Sequence, residues 1–407
     1  MTRRTLIVIF LFSGKLFAQA PDFDAKGVFY FQDADFNADS YSTQKITKSG
    51  IDLVGVFTFP LKYPESRQPS EQNISNSVIE NHRIAAFRTD KKIAYVLETR
   101  GTLQKGARDA GLNELPPGNF VSVMKVSDLH GLKPDYRFPV AENPTSISLD
   151  PSHKYLAVSS VNTGNEIQIF ELDDFGKPIR LLPQVLHMEG GAVHDLIWHP
   201  SKDYMVFIRR DEREMGLIRV VRDRSNIIRL EQVGDVVKFE GSPVAGVFSK
   251  DGKSLFVLDK GDAANRIAGK VFMVRISLEE EGKHVLMARA DVGFNPLHIT
   301  MNPAGDHMFI SNRGRTEHGE ENASVSVLSV KGETLEAKTD LPLEGLLPTP
   351  VRFDKGGKNF TVGCFQSRTY GKPMGNIAFY RFSGGKAEKQ PGSILVPAGI
   401  HYLEVLY

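Results

Sequence analysis

The stretch NPAGDHMFISNRG occupies residues 302–314. It reads as a tight turn made by Asn302, Pro303 and Gly305, a short apolar run, and a polar exit through Asn312, Arg313 and Gly314. Whether it occurs once or many times decides the fold. With the preceding residue as anchor, the same order of residue types recurs along the chain: FRTDKK at Phe87, LDPSHK at Leu149, WHPSKD at Trp198, FSKDGK at Phe248, MNPAGD at Met301 and FDKGGK at Phe353. Successive anchors lie 62, 49, 50, 53 and 52 residues apart. A steady period of this length marks a repeat architecture.

Each turn leads into a second strand: IAYVLE (93–98), YLAVSS (155–160), YMVFIR (204–209), SLFVLD (254–259), HMFISN (307–312) and NFTVGC (359–364). A third, often alternating, strand follows, as in NEIQIFEL (165–172) and KVFMVRIS (270–277). A weaker fourth comes next, as in YRFPV (136–140) and VLMARADV (285–292). The alternation and β-branched content predict strands, and no long segment has helical period. Four strands per unit of about 50 residues predict propeller blades.

The anchors account for one blade too few, and the two ends of the chain supply the rest. PAGIHYLEVLY (397–407) matches a first strand and then stops, while GVFYFQ (27–32) and DLVGVFTF (52–59) match a second and a third. The fold class is therefore all-β: a seven-bladed β-propeller of four-stranded blades, the last closed by N- and C-terminal strands. Such closure pairs edges that would otherwise stay open. Two separate β domains would need a linker, and no Ser/Gly-rich break divides the chain.

The chain has 407 residues, 41% hydrophobic and 24% charged, an ordinary globular composition. Residues 1–20 differ. Arg3 and Arg4 precede the apolar TLIVIFLF (5–12), and Ala18-Gln19-Ala20 has the A-x-A form of a cleavage site. This predicts a secretory signal peptide over 1–20, a propeller over 21–407, and a periplasmic or extracellular location. No later apolar run is long enough to predict a membrane span. Removing the leader's three basic residues from 50 leaves 47 against 49 acidic, which gives no electrostatic case for nucleic acid. Cys364 is the single cysteine, so no internal disulfide forms.

The run Pro-x-His-Ile-x-Met-x-Pro-x-Gly-x-x-x-Phe-Ile-x-Asn-Arg, from Pro296 to Arg313, resembles the YVTN-type repeat of seven-bladed lactonase-like propellers. Phosphogluconolactonases and carboxymuconate cyclases are among their relatives. The resemblance implies a lactone hydrolase, with His298 as base and Arg313 as anion contact. The family's Pro-Arg-His and Asn-Glu motifs stand here as Pro296-Leu297-His298 and Asn312-Arg313, without the Arg and without the Glu.

Antiparallel order puts the uniform turns after the anchors on one face, the bottom. The long loops 33–50, 99–118, 261–269, 313–322 and 365–375 then lie on the other, the top, where function is expected. Second-strand ends reach that face. Aligned with Asn312 are Gln32, Glu98, Ser160, Arg209, Asp259 and Cys364. First strands add Arg83, His194, Asp195, His298, Arg352 and His401. These could form a ring of convergent polar groups around a ligand, or line a wet channel with no ligand at all. Glu98, His194, Asp195, Arg209, Asp259, Asn312, Arg352 and His401 are the candidate ligand contacts. Asp33, Asp35, Asn37 and Asp39 alternate like the start of a calcium loop, but Ala38 and Gln44 stand where such a loop needs Gly and Glu. A solvated polar loop is the preferred reading of these residues, and calcium is the only cofactor the pattern suggests. The depleted motif and the long top loops together predict a module that binds a small polar ligand or a protein. The alternative is a hydrolase or isomerase acting on a sugar-acid lactone.

Overall fold

A computed structural model describes residues 20–34, 52–61, 70–74, 83–88, 90, 92–102, 111, 114–127, 131–187, 191–222, 227–279, 282–314, 323–367 and 374–407. Its strands form seven sheets.

The turn at 302–306 shows why the repeat folds as it does. Asn302 Oδ1 accepts the backbone N–H groups of Gly305 (3.0 Å), Asp306 (3.1 Å) and His307 (3.0 Å). Gly305 sits at φ +82°, where a side chain would be strained. The hairpin then closes with Met301 opposite Met308. The residue after the anchor does the same work elsewhere. Asp150 accepts the N–H groups of Ser152 and Tyr155, and Asp354 those of Lys358 and Asn359.

Three neighbouring blades carry the rest of the account. Blade 3 runs Asp195–Trp198, Tyr204–Arg209, Glu214–Arg222, Ile228–Lys238. Blade 4 runs Pro243–Phe248, Ser254–Asp259, Lys270–Arg275, Val285–Asp291. Blade 5 runs Pro296–Met301, His307–Asn312, Ser324–Lys331, Thr334–Pro342. Cores lie between blades, so the period-2 alternation of each strand serves two neighbours at once. Leu255 and Val257 pack with Ile197, Val206 and Ile208 of blade 3. Phe256 and Leu258 pack with Ile299, Met308 and Ile310 of blade 5. Both faces are buried, which is why SLFVLD is a continuous apolar run. Trp198 binds two blades together, its Nε1 donating to Ser148 O at 3.3 Å.

Closure follows the sequence reading. Ile400–Leu406 is the innermost strand of blade 7, followed by Gly27–Gln32, Leu53–Thr58 and Ser70–Asn73. The pairing runs from Gly27 opposite Leu406 to Gln32 opposite Ile400.

Three features were not anticipated. Gln184–His187 adds a fifth strand to blade 3, parallel to Ile228–Lys238. The inner strand of blade 6 is broken into Gly345–Pro348 and Arg352–Phe353, with Leu347 at φ +52°. The second strand of that blade runs from Asn359 to Ser367, so residues 365–367 are strand rather than loop. Among the described residues no helix is long and apolar enough to cross a membrane.

Candidate functional site above blades 3 to 5

The channel axis is crossed by charge. Arg83, just before the inner strand Ala85–Arg88 of the first blade, reaches Asp195 Oδ1 of blade 3 (Nε, 3.3 Å) and Gly246 O of blade 4 (Nη2, 3.0 Å). Asp195 is fully buried, and its Oδ2 accepts the Gly246 N–H at 3.3 Å. Nearer the bottom turns, Arg352 pairs with Glu404 (3.1 Å) and donates to the Tyr402 hydroxyl (3.0 Å). Burial is the largest influence and opposes the Arg352 charge, but Glu404 and Tyr402 together outweigh it and hold that pKa above its usual value. Asp195 and Arg352 thus fasten blades to one another.

Several other candidates are also held within the fold. Arg209 pairs with Glu214 at 3.1 Å, both side chains nearly inaccessible. Asn312 is buried, its Nδ2 donating to Ser324 and Ser326 hydroxyls at 3.1 and 2.9 Å. His401 is buried with Nδ1 3.2 Å from Gly399 O, and burial pushes its pKa down to about 4. His194 Nδ1 accepts the Arg210 N–H at 3.2 Å, leaving Nε2 as the protonated nitrogen, 3.7 Å from Asp211 Oδ2. Burial first, then Arg210, depresses its pKa to about 4. Glu98 is half-buried, and its pKa is raised by burial against the Asn119 amide and Arg137. Asp33 is buried, its N–H bonded to Gly399 O at 2.9 Å, while Asp35, Asn37 and Asp39 lie outside the described residues. Among the described residues no group of three or more His, Cys, Asp or Glu could hold a metal ion.

Asp259 and Arg313 open onto a cavity. It has two adjoining parts that share Arg210, Lys260 and Asn295. The inner pocket, ≈ 20 Å³ and so no larger than a single water or one substrate oxygen, also touches Val244, Pro296, Leu297 and Arg313. The outer lobe, ≈ 820 Å³, extends over Arg213, Glu240 and Lys270 to the 262–268 loop. The backbone explains which residues face inward. A β-bulge at the head of the blade 5 inner strand skips Leu297 in the pairing, placing Pro296 opposite Asn312 and His298 opposite Ser311. Leu297 lines the pocket, and His298, 1% exposed, does not.

The inner pocket contains a pattern the sequence reading passed over. Arg210, Lys260 and Arg313 occupy one position in three successive blades, the first residue past the end of each second strand. No acidic residue lines this pocket among the described residues. Beside it stands Asp259, 3% exposed. Its Oδ1 accepts the Gly261 N–H at 2.7 Å; its Oδ2, closed to solvent in this conformation, has no hydrogen-bond partner among the described residues, so water reaches it only when the Gly241 side of the lobe gives way. Gly241 backs the carboxyl so closely that a Cβ there would lie 2.0 Å from Oδ2. Burial raises the Asp259 pKa, opposed in part by the Gly261 amide, by Lys270, by the Ser242 amide, which points at the carboxyl without meeting hydrogen-bond geometry, and by Arg213. A buried carboxyl with an uncommitted oxygen, next to clustered cations, can move a proton while the cations hold developing negative charge.

Residues 121–370 match the Lactonase family, described as a 7-bladed beta-propeller. The chain matches no curated protein sequence. Among solved structures it is similar to a periplasmic gluconolactonase of Pseudomonas aeruginosa, with TM-score 0.64 and 15% identity over 94% of this chain and 99% of that one. A protein of Lactobacillus plantarum gives TM-score 0.62 and 13% identity over 94% and 100%. A hypothetical selenium-binding protein of Sulfolobus tokodaii gives 0.66 and 8% over 95% and 94%. At such identities these likenesses establish the fold alone, and function has to be argued from the site.

Proposed function

The chain belongs to the seven-bladed Lactonase family, and from that premise we propose that it hydrolyses a lactone in the cavity above blades 3 to 5. Family membership favours this reading over a purely binding module. The observation that carries it is the set of three cations at one blade position, Arg210, Lys260 and Arg313, beside the uncommitted Asp259 carboxyl.

In this reading the ionised Asp259 takes a proton from water, which attacks the lactone carbonyl carbon. Negative charge moves to the carbonyl oxygen, where Arg313, Lys260 and Arg210 stabilise it. Collapse of the tetrahedral intermediate breaks the ring C–O bond, and the Asp259 proton passes to the departing alkoxide. The product is a hydroxy acid that loses its carboxyl proton to solvent water, and the resulting carboxylate stays against the cations until release. His298, next in sequence to the pocket residue Leu297, positions the strand and does not touch substrate. Arg313 keeps the anion-contact role that the family resemblance implies.

Export is part of the proposal. It is supported by the leader pattern over 1–20, of which residues 1–19 lie outside the described residues, and by the periplasmic relative. N-terminal sequencing of the exported protein is expected to begin at Pro21. The activity is tested by following ring opening of a panel of sugar-acid lactones by the mature chain, Asp259→Asn and Arg313→Gln. Turnover that falls in both variants supports the reading. Turnover undiminished in both removes it, as does a wild-type chain that opens no lactone.

A further inference from the structure

The two parts of the cavity differ in charge, and the difference bears on what they hold. Arg210, Lys260 and Arg313 line the inner pocket with no acid among the described residues. In the outer lobe, the cations Arg210, Arg213, Lys260 and Lys270 face an equal number of acids, Asp211, Glu240, Asp259 and Asp262. A phosphate site concentrates cations and donors. A balanced lining suits instead a neutral ligand that both donates and accepts hydrogen bonds.

Size points the same way. Pockets that bury a drug-sized ligand span about 300–1,000 Å³, and the outer lobe, at ≈ 820 Å³, is in the upper part of that range. A single sugar-acid ring would leave most of it empty. The lip supplies an apolar surface. Ile267 is 51% exposed, and Ala263 and Ala264 beside it also line the lobe. The C–H face of a sugar ring packs on such a surface while its hydroxyls meet the polar side. The lip is preformed. Asp262 and Ile267 exchange backbone hydrogen bonds of 2.9 and 2.7 Å, and Asn265 Nδ2 donates to Asp262 Oδ2 at 2.8 Å. Ordering it on binding therefore costs little.

We infer that the site takes a lactone bearing a neutral, polyhydroxylated extension of at least one further sugar unit, with the lactone carbonyl oxygen turned into the mouth of the inner pocket, beside Arg210 and Lys260, and both the ring and its extension in the outer lobe. This deepens the lactonase reading and rests on it. The competing occupant, a phosphorylated single-ring lactone, is one outcome of the test.

The test is calorimetric binding of three open-chain acids to the mature chain: lactobionate, gluconate and 6-phosphogluconate. Lactobionate carries the extra sugar, gluconate lacks it, and 6-phosphogluconate replaces it with charge. The expected result is lactobionate binding at least about 10-fold more tightly than gluconate, the scale of one well-fitted group. Ala264→Trp, which fills the lobe, and Ile267→Ser, which removes its apolar lip, are each expected to bring those two affinities together. Equal binding of lactobionate and gluconate overturns the inference, and so does tightest binding of 6-phosphogluconate. Lactone turnover reads the parent proposal separately. Turnover without a lactobionate preference keeps the hydrolase and removes the extended substrate. A preference lost in Ala264→Trp, with no turnover of any lactone, removes the hydrolase and keeps the sugar-acid site.

Discussion

Asp195 on the axis and Asp259 in the cavity are both carboxylates on blade strands, 0% and 3% exposed. Asp195 is held by Arg83 and by the Gly246 amide, so both of its oxygens are engaged. Asp259 keeps one oxygen without a hydrogen bond among the described residues, although four cations line the same lobe. A charge buried with its partner locks the structure in place, and removing the partner is costly. A charge buried without one is a standing cost, tolerated where its proton or its lone pair is used. The comparison sets an axis whose charges serve cohesion against an off-axis cavity that, in the proposed reading, serves chemistry.

The strongest way to break that comparison is Asp259→Asn. Loss of an acid–base group lowers kcat by about 10²- to 10⁴-fold, measured on whichever lactone the wild type opens best. Stability should not fall with it. The folded pKa of Asp259 is raised above its ordinary 3.8. The ionised group therefore destabilises the fold once pH exceeds the folded pKa, and the penalty vanishes below the unfolded one. Urea titrations across pH are expected to show the variant at least as stable as wild type at neutral pH, with the gap closing in acid. A variant that lost stability and activity together would put Asp259 with Asp195.

Arg83→Met makes the opposite cut. It strands a fully buried carboxylate, and breaking such a pair costs about 3–5 kcal/mol. Chemical denaturation should register that loss, while the kcat of the folded fraction stays within a small factor. His401 tests burial without a charge partner. Its pKa is depressed to about 4 from 6.5. Stability is complete above 6.5 and is lost as pH falls toward 4, by up to about 3 kcal/mol. His401→Gln is expected to flatten that acid limb. The smallest effect belongs to the bottom face, far from either carboxylate. Asn302→Ala removes one acceptor from three backbone N–H groups, at a cost of about 1–2 kcal/mol, read as a drop in Tm with activity unchanged.

The blades were legible because each turn repeats a local chemistry. Asn302, Asp150 and Asp354 cap their turns in the same manner, and the apolar runs behind them need burial on both faces. Closure was legible because the end strands fit the repeat. The parallel strand Gln184–His187 was not, since its partner lies more than 40 residues on and no local pattern announces it. The ring of second-strand ends was found, yet from it only Asp259 lines the cavity. Arg209 and Asn312 turn instead to partners in their own blades. What separates them from the cavity residues is partner choice within each blade, with Arg209 held by Glu214 and Asn312 by Ser324 and Ser326, while the residue just past each strand end is left to line the cavity. That residue is Arg210, Lys260 or Arg313, and of these the sequence reading chose Arg313 alone. A scan for like charges at equal rank in successive repeats would have found all three.

The pairing that closes blade 7 also fixes how the ring answers a mechanical load. Gly27 and Leu406 lie opposite each other at one end of the two strands, and Gln32 and Ile400 at the other. A force drawn outward through residues 27 and 406 meets the rungs one at a time, as in a zipper, and not all together in shear. Tension applied there would peel the two strands apart rung by rung from the bottom face, while the covalently continuous hairpins of the other blades bear none of it until the ring has opened.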